Sequence, residues 1–283
     1  MASINRTVPK GTTYLSAVTI AATDSLLFGE GGQGVITTID QSAVASGLTN
    51  VLFDAPFTGD IGGGSAGYFK AYIQGLMTMA GGGGSVYYQP AGAANTCARI
   101  KQIGSQKLVL GGGGTVTNME QSSSTVECTD LTYVTDLWQI GGSGRYIYVA
   151  QANAFVNAII SGGSFASGRG GTNASTLTVC GSAYATIARE DSQTGNSPTL
   201  PSFTTVNVFG PGAVLDWRGG AITTLNVFGG ARWNASNSLF NATIGTVNVD
   251  AASLRVSNFY SPKATLTYTT KNVRGATIDT LAF

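Results

Sequence analysis

Histidine is missing from this sequence of 283 residues, and cysteine occurs only at Cys97, Cys128 and Cys180. Without histidine, a Ser-His-Asp triad cannot form. The three cysteines also lack the close spacing of a zinc site. Because an odd number of cysteines argues against a disulfide framework, we predict buried thiols. We expect neither a metal nor any other cofactor.

Charge is scarce as well. Charged residues make up 10% of the chain and the formal net charge is +1, which leaves no basic stripe for nucleic acid. Glycine fills 40 positions, and the abundance of Val, Ile, Thr and aromatic residues disfavours disorder. We expect a β-rich protein with a surface of hydroxyls and amides, and no nucleic-acid partner.

The chain also lacks long hydrophobic runs. Residues 1–10 have no apolar core of the kind found in secretion signals. No later stretch approaches the ~20 apolar residues of a membrane helix. We therefore predict a protein that is made in a cytoplasm and has no membrane partner.

What the sequence does contain is a repeated phrase. Positions 205–210 read Thr-Val-Asn-Val-Phe-Gly, and the phrase returns at 224–229 and, shortened, at 246–249. A degenerate copy at 265–268 would continue the series. A short fixed period is the signature of stacked repeats, and the alternation of apolar with polar residues is typical of strands. We predict an all-β fold, a single-stranded parallel β-helix (β-solenoid) with coils of about 19–22 residues.

Alignment of these coils predicts which residues face the interior. Alternation places the valines of each phrase inside, and a second strand behind each glycine adds two more inward columns. The predicted core residues are Val206, Val208, Leu215, Leu225, Val227, Trp233, Val247, Val249 and Leu254, with Trp217, Ala235 and Val256 in the last column. The intervening columns are assigned to the outer face: Val214, Arg232 and Ser253, then Asp216, Asn234 and Arg255.

We assign residues 76–283 to the β-helix and residues 1–75 to an N-terminal arm and a short β-rich attachment region. Within residues 1–75, the stretch 40–52 allows two interpretations. It could form a short helix capped by Asp40, because one helical face would hold Val44, Leu48, Val51 and Leu52. It could also form another coil, because residues 49–53 echo the later phrase.

Beyond residue 76 a glycine closes each strand, at Gly81, Gly111, Gly141, Gly162, Gly181, Gly210 and Gly229. The coils that end at Gly111, Gly141 and Gly210 are longer than the rest by about ten residues each. The added segments, residues 89–96, 119–127 and 189–199, lie at equal offsets and are predicted to stack as exposed polar loops on one face. The candidate contact residues of this loop face are Gln89, Asn95, Glu120, Gln121, Glu190, Asp191 and Asn196.

Two patterns could carry chemistry. The glycine quartets at 81–84 and 111–114 are not followed by Lys-Ser or Lys-Thr, so we interpret them as corners rather than phosphate loops. Paired carboxylates serve glycosidases as acid and base. The candidates are Glu127 with Asp130 and Asp136, Glu190 with Asp191, and Asp54 with Asp60. All lie in expected turns, where solvated carboxylates are common. We predict a protein that is not an enzyme.

The repeats, in a charge-poor chain without a secretion signal, resemble the β-helical virion proteins of tailed bacteriophages over roughly residues 76–283. Such proteins serve as head decoration (cement) proteins or as tail fibres and spikes. The resemblance implies a virion location after assembly in the host cytoplasm, a homotrimer, and N-terminal attachment to the major capsid protein or another virion protein. Arg6 and Lys10, in an arm without acidic residues, are the candidate particle contacts. The strand edges at the ends of a solenoid also favour self-association.

Three functions remain open at this point. A decoration protein that binds and stabilises the phage head is favoured over a tail fibre or spike that attaches to the host. The chain is of modest length, has no long fibrous segment and offers no persuasive carboxylate pair. A secreted β-helix protein that binds or cleaves polysaccharides is a second alternative, weakened by the missing signal.

Overall fold

Parallel β-strands make up the fold in this computed structural model. The structure describes residues 5–7, 14–16, 24–29, 36–40, 47–63, 67–92, 94–128, 132–146, 156–167, 173–188, 200–235, 241–250, 253–257, 266–275 and 277–281. Among these residues, no helix has the length and apolarity to span a bilayer. The chain divides into two compact units, Met1–Asp136 and Leu137–Phe283.

The first unit contains thirteen strands in its described residues. They are β1 (Asn5–Thr7), β2 (Tyr14–Ser16), β3 (Ser25–Phe28), β4 (Ile36–Asp40), β5 (Leu48–Phe53), β6 (Asp60–Ile61), β7 (Phe69–Ala71), β8 (Ile73–Met79), β9 (Ser85–Pro90), β10 (Thr96–Gln102), β11 (Lys107–Leu110), β12 (Gly114–Gln121) and β13 (Thr125–Cys128). One sheet, A1, has the order β1-β3-β5-β8-β10-β12. The other, B1, has the order β2-β4-β6-β9-β11-β13, with β7 beside β4 and β9.

The second unit repeats this plan. Its strands are β14 (Thr132–Gln139), which begins before the division, β15 (Ser143–Tyr146), β16 (Asn157–Ile160), β17 (Ser164–Ser167), β18 (Asn173–Cys180), β19 (Tyr184–Ile187), β20 (Ser202–Phe209), β21 (Val214–Trp217), β22 (Gly220–Phe228), β23 (Arg232–Asn234), β24 (Ala242–Asp250), β25 (Ser253–Ser257), β26 (Leu266–Arg274) and β27 (Thr277–Leu281). The even-numbered strands form sheet A2 and the odd-numbered strands form sheet B2, each in chain order. Successive strands of a sheet thus come from successive coils, which defines a β-solenoid.

The aligned repeats explain the core of the second unit. Val206 pairs in register with Leu225, and Leu225 with Val247, as the repeated phrase predicts. On the opposite sheet, Trp233 pairs with Leu215 and Leu254. The predicted core residues Val206, Val208, Leu215, Trp217, Leu225, Val227, Trp233, Ala235, Val247 and Val249 are all buried. The side chains of Leu254 and Val256 lie outside the described set.

Three long strands of A2 each bend once. In β22, Ile222 and Leu225 are both buried, although Thr223 and Thr224 stand between them. Two outward residues in succession break the two-residue alternation of a flat strand. The strand therefore turns a corner at this position, and β20 and β24 share the same pattern.

The solenoid begins earlier than predicted. Parallel pairing already joins β1 to β3, β3 to β5 and β5 to β8, so the strands before Leu76 belong to coils. Residues 48–53 form strand β5, which supports the coil interpretation against the helix. In this region Phe28 pairs with Phe53 and Phe53 with Met79, so each coil is longer than those of the repeated phrase. Because the period of these long coils differs from that of the repeated phrase, they could not be recognised in the sequence.

The predicted glycine rhythm is wrong in the first unit. Gly81 follows an A1 strand, β8, whereas Gly111 follows a B1 strand, β11. The two quartets are corners, as predicted, but different corners of the coil. The true column is Met79, Gln102 and Gln121, which pair in register from rung to rung.

The fourth copy of the phrase was also misplaced. Thr246 pairs with Thr270 rather than Thr265, and Asn248 pairs with Asn272. Leu266 and Tyr268 instead continue the columns of Ala242 and Ile244, before the corner. The repeat therefore returns at positions 270–274, as Thr-Lys-Asn-Val-Arg.

One outer-face assignment needs correction. Asp216 does pair in register with Asn234, and Asn234 with Arg255. However, Asp216 is fully buried and its Oδ2 accepts a hydrogen bond from Nε of Arg218 at 3.0 Å. The outward column of B2 is therefore not exposed at Asp216. The buried carboxylate has a charged hydrogen-bond partner, as a buried ion requires.

Candidate functional site

The outer side of A2 after its corner carries three columns of side chains. In β22 they are Thr224, Asn226 and Phe228, which alternate with the buried Leu225 and Val227. The same three positions are Thr205, Asn207 and Phe209 in β20. Because the strands are parallel and in register, like residues stand above one another at about 4.8 Å. The repeated phrase therefore builds a flat, ordered surface.

Asparagines in the central column form a ladder. Nδ2 of Asn226 donates to Oδ1 of Asn207 at 2.8 Å, and Nδ2 of Asn248 donates to Oδ1 of Asn226 at 2.8 Å. Asn272 extends the ladder to β26, and Asn207 donates to Oγ1 of Thr178 at 3.3 Å. Each amide that lies between two others uses one donor and one acceptor in the ladder, which fixes its rotamer. Amides fixed in this way are preorganised for a partner.

Exposed apolar side chains lie on the same surface. Phe209 and Phe228 are 44% and 40% exposed. At the β14 end, Trp138, Ile140, Val156 and Ile159 are 39–51% exposed. Ile159 is in register with Thr178 and so continues the central column. Trp138 and Ile140 flank Gln139, which is buried and whose carbonyl oxygen accepts from Ser161 N on the neighbouring strand.

We call this surface the ladder face. It is formed by Trp138, Ile140, Val156, Ile159, Thr176, Thr178, Thr205, Asn207, Phe209, Thr224, Asn226, Phe228, Thr246, Asn248 and Asn272. Six of the nine exposed large apolar side chains in the described part of the chain belong to it. The residues of this set are uncharged and offer apolar area and neutral hydrogen-bonding groups. The column of Phe209 and Phe228 continues as the exposed Asp250 and Arg274 in β24 and β26, so charge stands at one edge of the face. Such clustering of exposed apolar side chains is typical of interaction sites.

A second cluster, on A1, is charged. Glu120 accepts from Arg99 at 3.3 Å and from Lys101 at 3.2 Å, and it is in register with Lys101. Arg99 and Lys101 are 55% and 38% exposed, so water screens these pairs and their contribution to stability is small.

The predicted loop face does not assemble as expected. Glu120 and Gln121 belong to strand β12 in A1, whereas Gln89 belongs to β9 in B1 and donates to Gly112 O at 2.8 Å. Asn95 lies in an exposed turn with a φ of 46°. Gln121 is fully buried rather than exposed. Residues 89–96 are thus the end of β9, a corner and the start of β10, and residues 119–127 are the end of β12, a corner and most of β13. The misassigned glycine corner made these different corners look like equivalent insertions.

Some predicted contact residues fall elsewhere. Glu190, Asp191 and Asn196 lie outside the described residues, as does Lys10. Arg6 lies in β1, in register with Leu26. Whether any of these residues touches a particle stays a prediction.

The candidate carboxylates have structural partners where they are described. Oδ1 of Asp54 accepts from Ala55 N and Oδ1 of Asp60 accepts from Ser85 N, at 2.8 and 2.7 Å. Glu127 pairs with Lys107 at 2.7 Å across two B1 strands. Within the described residues, no group of three His, Cys, Asp or Glu side chains could hold a metal ion.

Cys97 and Cys128 are buried free thiols, as predicted, and Cys180 is half-buried. Burial raises the pKa of the Cys97 thiol to about 12, against smaller lowering effects from hydrogen bonds to Tyr88 and to the Arg99 backbone. Burial also raises the pKa of Tyr88 well above its usual value. Both groups are thus neutral at ordinary pH and form part of the core.

Sequence reasoning missed a set of buried glutamines. Gln102 donates to Gln106 O at 2.7 Å, Gln121 to Ser124 O at 3.2 Å and Gln139 to Ser164 O at 2.8 Å. All three end a long strand, and their side-chain Nε2 groups donate to backbone carbonyls around the corners. A signal was present: Gln-Ile-Gly occurs at 102–104 and again at 139–141.

The chain matches no protein-family model, no curated protein and no solved structure in comparisons with known proteins.

Proposed function

We propose that this chain is a structural protein of a tailed-phage particle, a decoration protein that binds and stabilises the head through its ladder face. The observation that carries the proposal is the concentration of exposed apolar side chains on this surface, six of nine in the described residues. Apolar patches that include an exposed tryptophan are typical of protein interfaces. A solenoid built on backbone ladders supplies the rigid support that such a surface needs.

The size of the face supports an oligomeric protein. From β14 to β26 it spans six inter-strand steps, about 29 Å, and three columns cover about 13 Å. The flat area of roughly 400 Å² is about half of what one partner contributes to a stable interface. We therefore propose a homotrimer. Three ladder faces in one assembly would bind with a higher apparent affinity than the weak contact of a single face.

Binding to particles tests the proposal. Purified protein is mixed with phage heads that lack it, and the bound fraction is measured after sedimentation. Trp138→Ala should weaken binding about tenfold or more, because exposed tryptophans often dominate interfaces. Tyr184→Ala is the matched control, since Tyr184 is a 46% exposed aromatic residue on B2 rather than A2. Equal binding of both variants and the unchanged protein would contradict the role of the ladder face.

A tail fibre or spike that attaches to the host is the second candidate. The observation that favours it is the position of Phe209 and Phe228 two residues beyond Asn207 and Asn226. Exposed rings beside fixed amides suit a neutral sugar, which offers apolar faces and hydroxyl groups. Binding to neutral host glycans that is lost in Phe228→Ala, without binding to heads, would favour this candidate over the decoration role.

A further inference from the structure

Three glutamine side chains at one corner of the first unit are completely buried. This corner, the A1–B1 corner, is the turn from a strand of A1 to the next strand of B1. Gln102 and Gln121 end β10 and β12 and are in register, and Gln106 directly precedes β11. All three are fully buried. In the preceding coil the same column holds Met79, so the coil does not require an amide at this position.

Hydrogen bonds fix the orientation of each amide. Nε2 of Gln102 donates to Gln106 O at 2.7 Å and to Thr125 O at 3.4 Å. Nε2 of Gln106 donates to Gly59 O at 3.3 Å, and Nε2 of Gln121 also donates to a corner carbonyl. Exchange of nitrogen and oxygen in any of these amides would bring two acceptor oxygens together. The Oε1 atoms are therefore held on the other side of each amide.

These three Oε1 atoms are buried acceptors without a protein donor. Among the described residues, none donates a hydrogen bond to Oε1 of Gln102, Gln106 or Gln121. A buried acceptor that loses water and gains no partner destabilises the fold. Buried polar groups of this kind are usually paired with protein or with an ordered ligand.

Gly81 leaves space beside one of these oxygens. A Cβ atom at this position would lie 2.8 Å from Oε1 of Gln106 and 2.9 Å from Phe57 O. Phe57 O accepts from Gly82 N at 2.9 Å, and a carbonyl oxygen can accept a second hydrogen bond. Two acceptor oxygens thus border a space that the side chain of any other residue would fill.

We propose that the A1–B1 corner of the first unit is a binding site for a small electropositive ligand. Because the groups that border the site are acceptor oxygens, the ligand must supply protons or positive charge. Water and a monovalent cation such as K⁺ share this property. The oxygens are neutral, whereas Ca²⁺ and Mg²⁺ sites usually include carboxylates. The ladder face belongs to the second unit, so the inference is independent of the proposed function.

A crystal structure of the unchanged protein, grown from a potassium salt, tests the proposal. We expect ligand density at about 2.8 Å from Oε1 of Gln106. Replacement of K⁺ by Tl⁺ separates the two ligands: an anomalous signal at this position identifies a cation, and density without the signal identifies water. A well-ordered corner with no ligand density beside Gln102, Gln106 or Gln121 would overturn the inference.

Two alanine variants test the position of the site. Gly81→Ala should remove the ligand beside Gln106, because the new Cβ fills the space. Gly83→Ala is the matched control in the same glycine quartet, since the nearest atom to its Cβ would be 3.9 Å away, in Thr58. Neither glycine has the left-handed backbone that disfavours alanine. Ligand density that persists in Gly81→Ala would contradict the assigned position, and the unchanged protein decides the inference if this variant does not fold.

Thermal unfolding identifies the ligand in solution. A bound cation should give the unchanged protein and Gly83→Ala a higher melting temperature in potassium chloride than in choline chloride at equal ionic strength. Gly81→Ala should lose this difference. A water ligand should instead give equal melting temperatures in the two salts for all three proteins. A potassium effect of the same size in Gly81→Ala would show that the cation binds elsewhere and would count against this site.

Discussion

At the scale of one residue, Trp233 shows that the sequence can predict a core position. Its place between Leu215 and Leu254 follows from alignment of three coils, and the structure buries it completely. We expect Trp233→Asp to lower the free energy of unfolding by about 4 kcal/mol or more, because it leaves a cavity and buries a charge. Arg232→Asp, at the exposed neighbouring position, should change it by less than about 0.5 kcal/mol. Denaturant unfolding of both variants measures the difference, and equal values would disprove the register.

Cys97 gives a prediction about pH. Its pKa is raised to about 12 in the folded protein, above the usual value of 9.0. Between these values the unfolded chain loses a proton that the folded chain keeps, so stability falls as pH rises from about 9 to about 12. Cys97→Ala should have a shallower decline over this range than the unchanged protein. Parallel pH curves would show that the thiol does not contribute.

The same burial controls thiol chemistry. At pH 8 the half-buried Cys180 should react with a thiol reagent in the folded protein, whereas the buried Cys97 and Cys128 should react only after unfolding. Titration of one fast thiol before denaturation and three after it is the expected result. Fast reaction of all three thiols in the folded state would contradict the burial described here.

The burial and partners of other residues could not be predicted from the sequence. Alternation assigns Asp216 to the outer side of its strand, but alternation cannot show what covers that side. The buried glutamines at the corners were missed for a related reason. Gln102 and Gln121 are polar residues at inward positions, and only the geometry of the neighbouring corner reveals the carbonyl groups that they satisfy.

At the scale of the element, the asparagine ladder links sequence to surface. Asn226 donates to Asn207 and accepts from Asn248, so Asn226→Ala removes two hydrogen bonds. We expect a loss of about 1–3 kcal/mol in the free energy of unfolding, since two half-buried amide groups lose their partner. Thr223→Ala, at an exposed corner position of the same strand, is the control and should be nearly neutral. An equally small effect for Asn226→Ala would mean that the ladder does not stabilise the sheet.

Coils were predictable where their period was regular. Between Thr205 and Asp250 the same phrase recurs at similar steps, and the predicted register is confirmed. The prediction failed where identical glycine quartets follow strands of different sheets, β8 of A1 and β11 of B1. It failed again at β26, where the alternation of Leu266 and Tyr268 resembles the phrase but pairs before the corner. Glycine and apolar alternation mark a corner and a strand, but they do not say which corner or which strand.

At the scale of the whole molecule, the solenoid fold could be predicted from the sequence, but the ladder face could only be recognised in part. The phrase specifies the stacked Asn and Phe columns. The contribution of Trp138 and Ile159 at the other end required the structure, because these residues belong to no repeat. The ordered outer face of A2 in the second unit is the physical basis for the proposed role in a particle.

Cryo-electron microscopy of intact phage particles that contain this chain tests the central claim most directly. We expect solenoid density at lattice positions on the head, with the ladder face against the shell. Density only on the tail, or on the head with the ladder face turned to solvent, would contradict it.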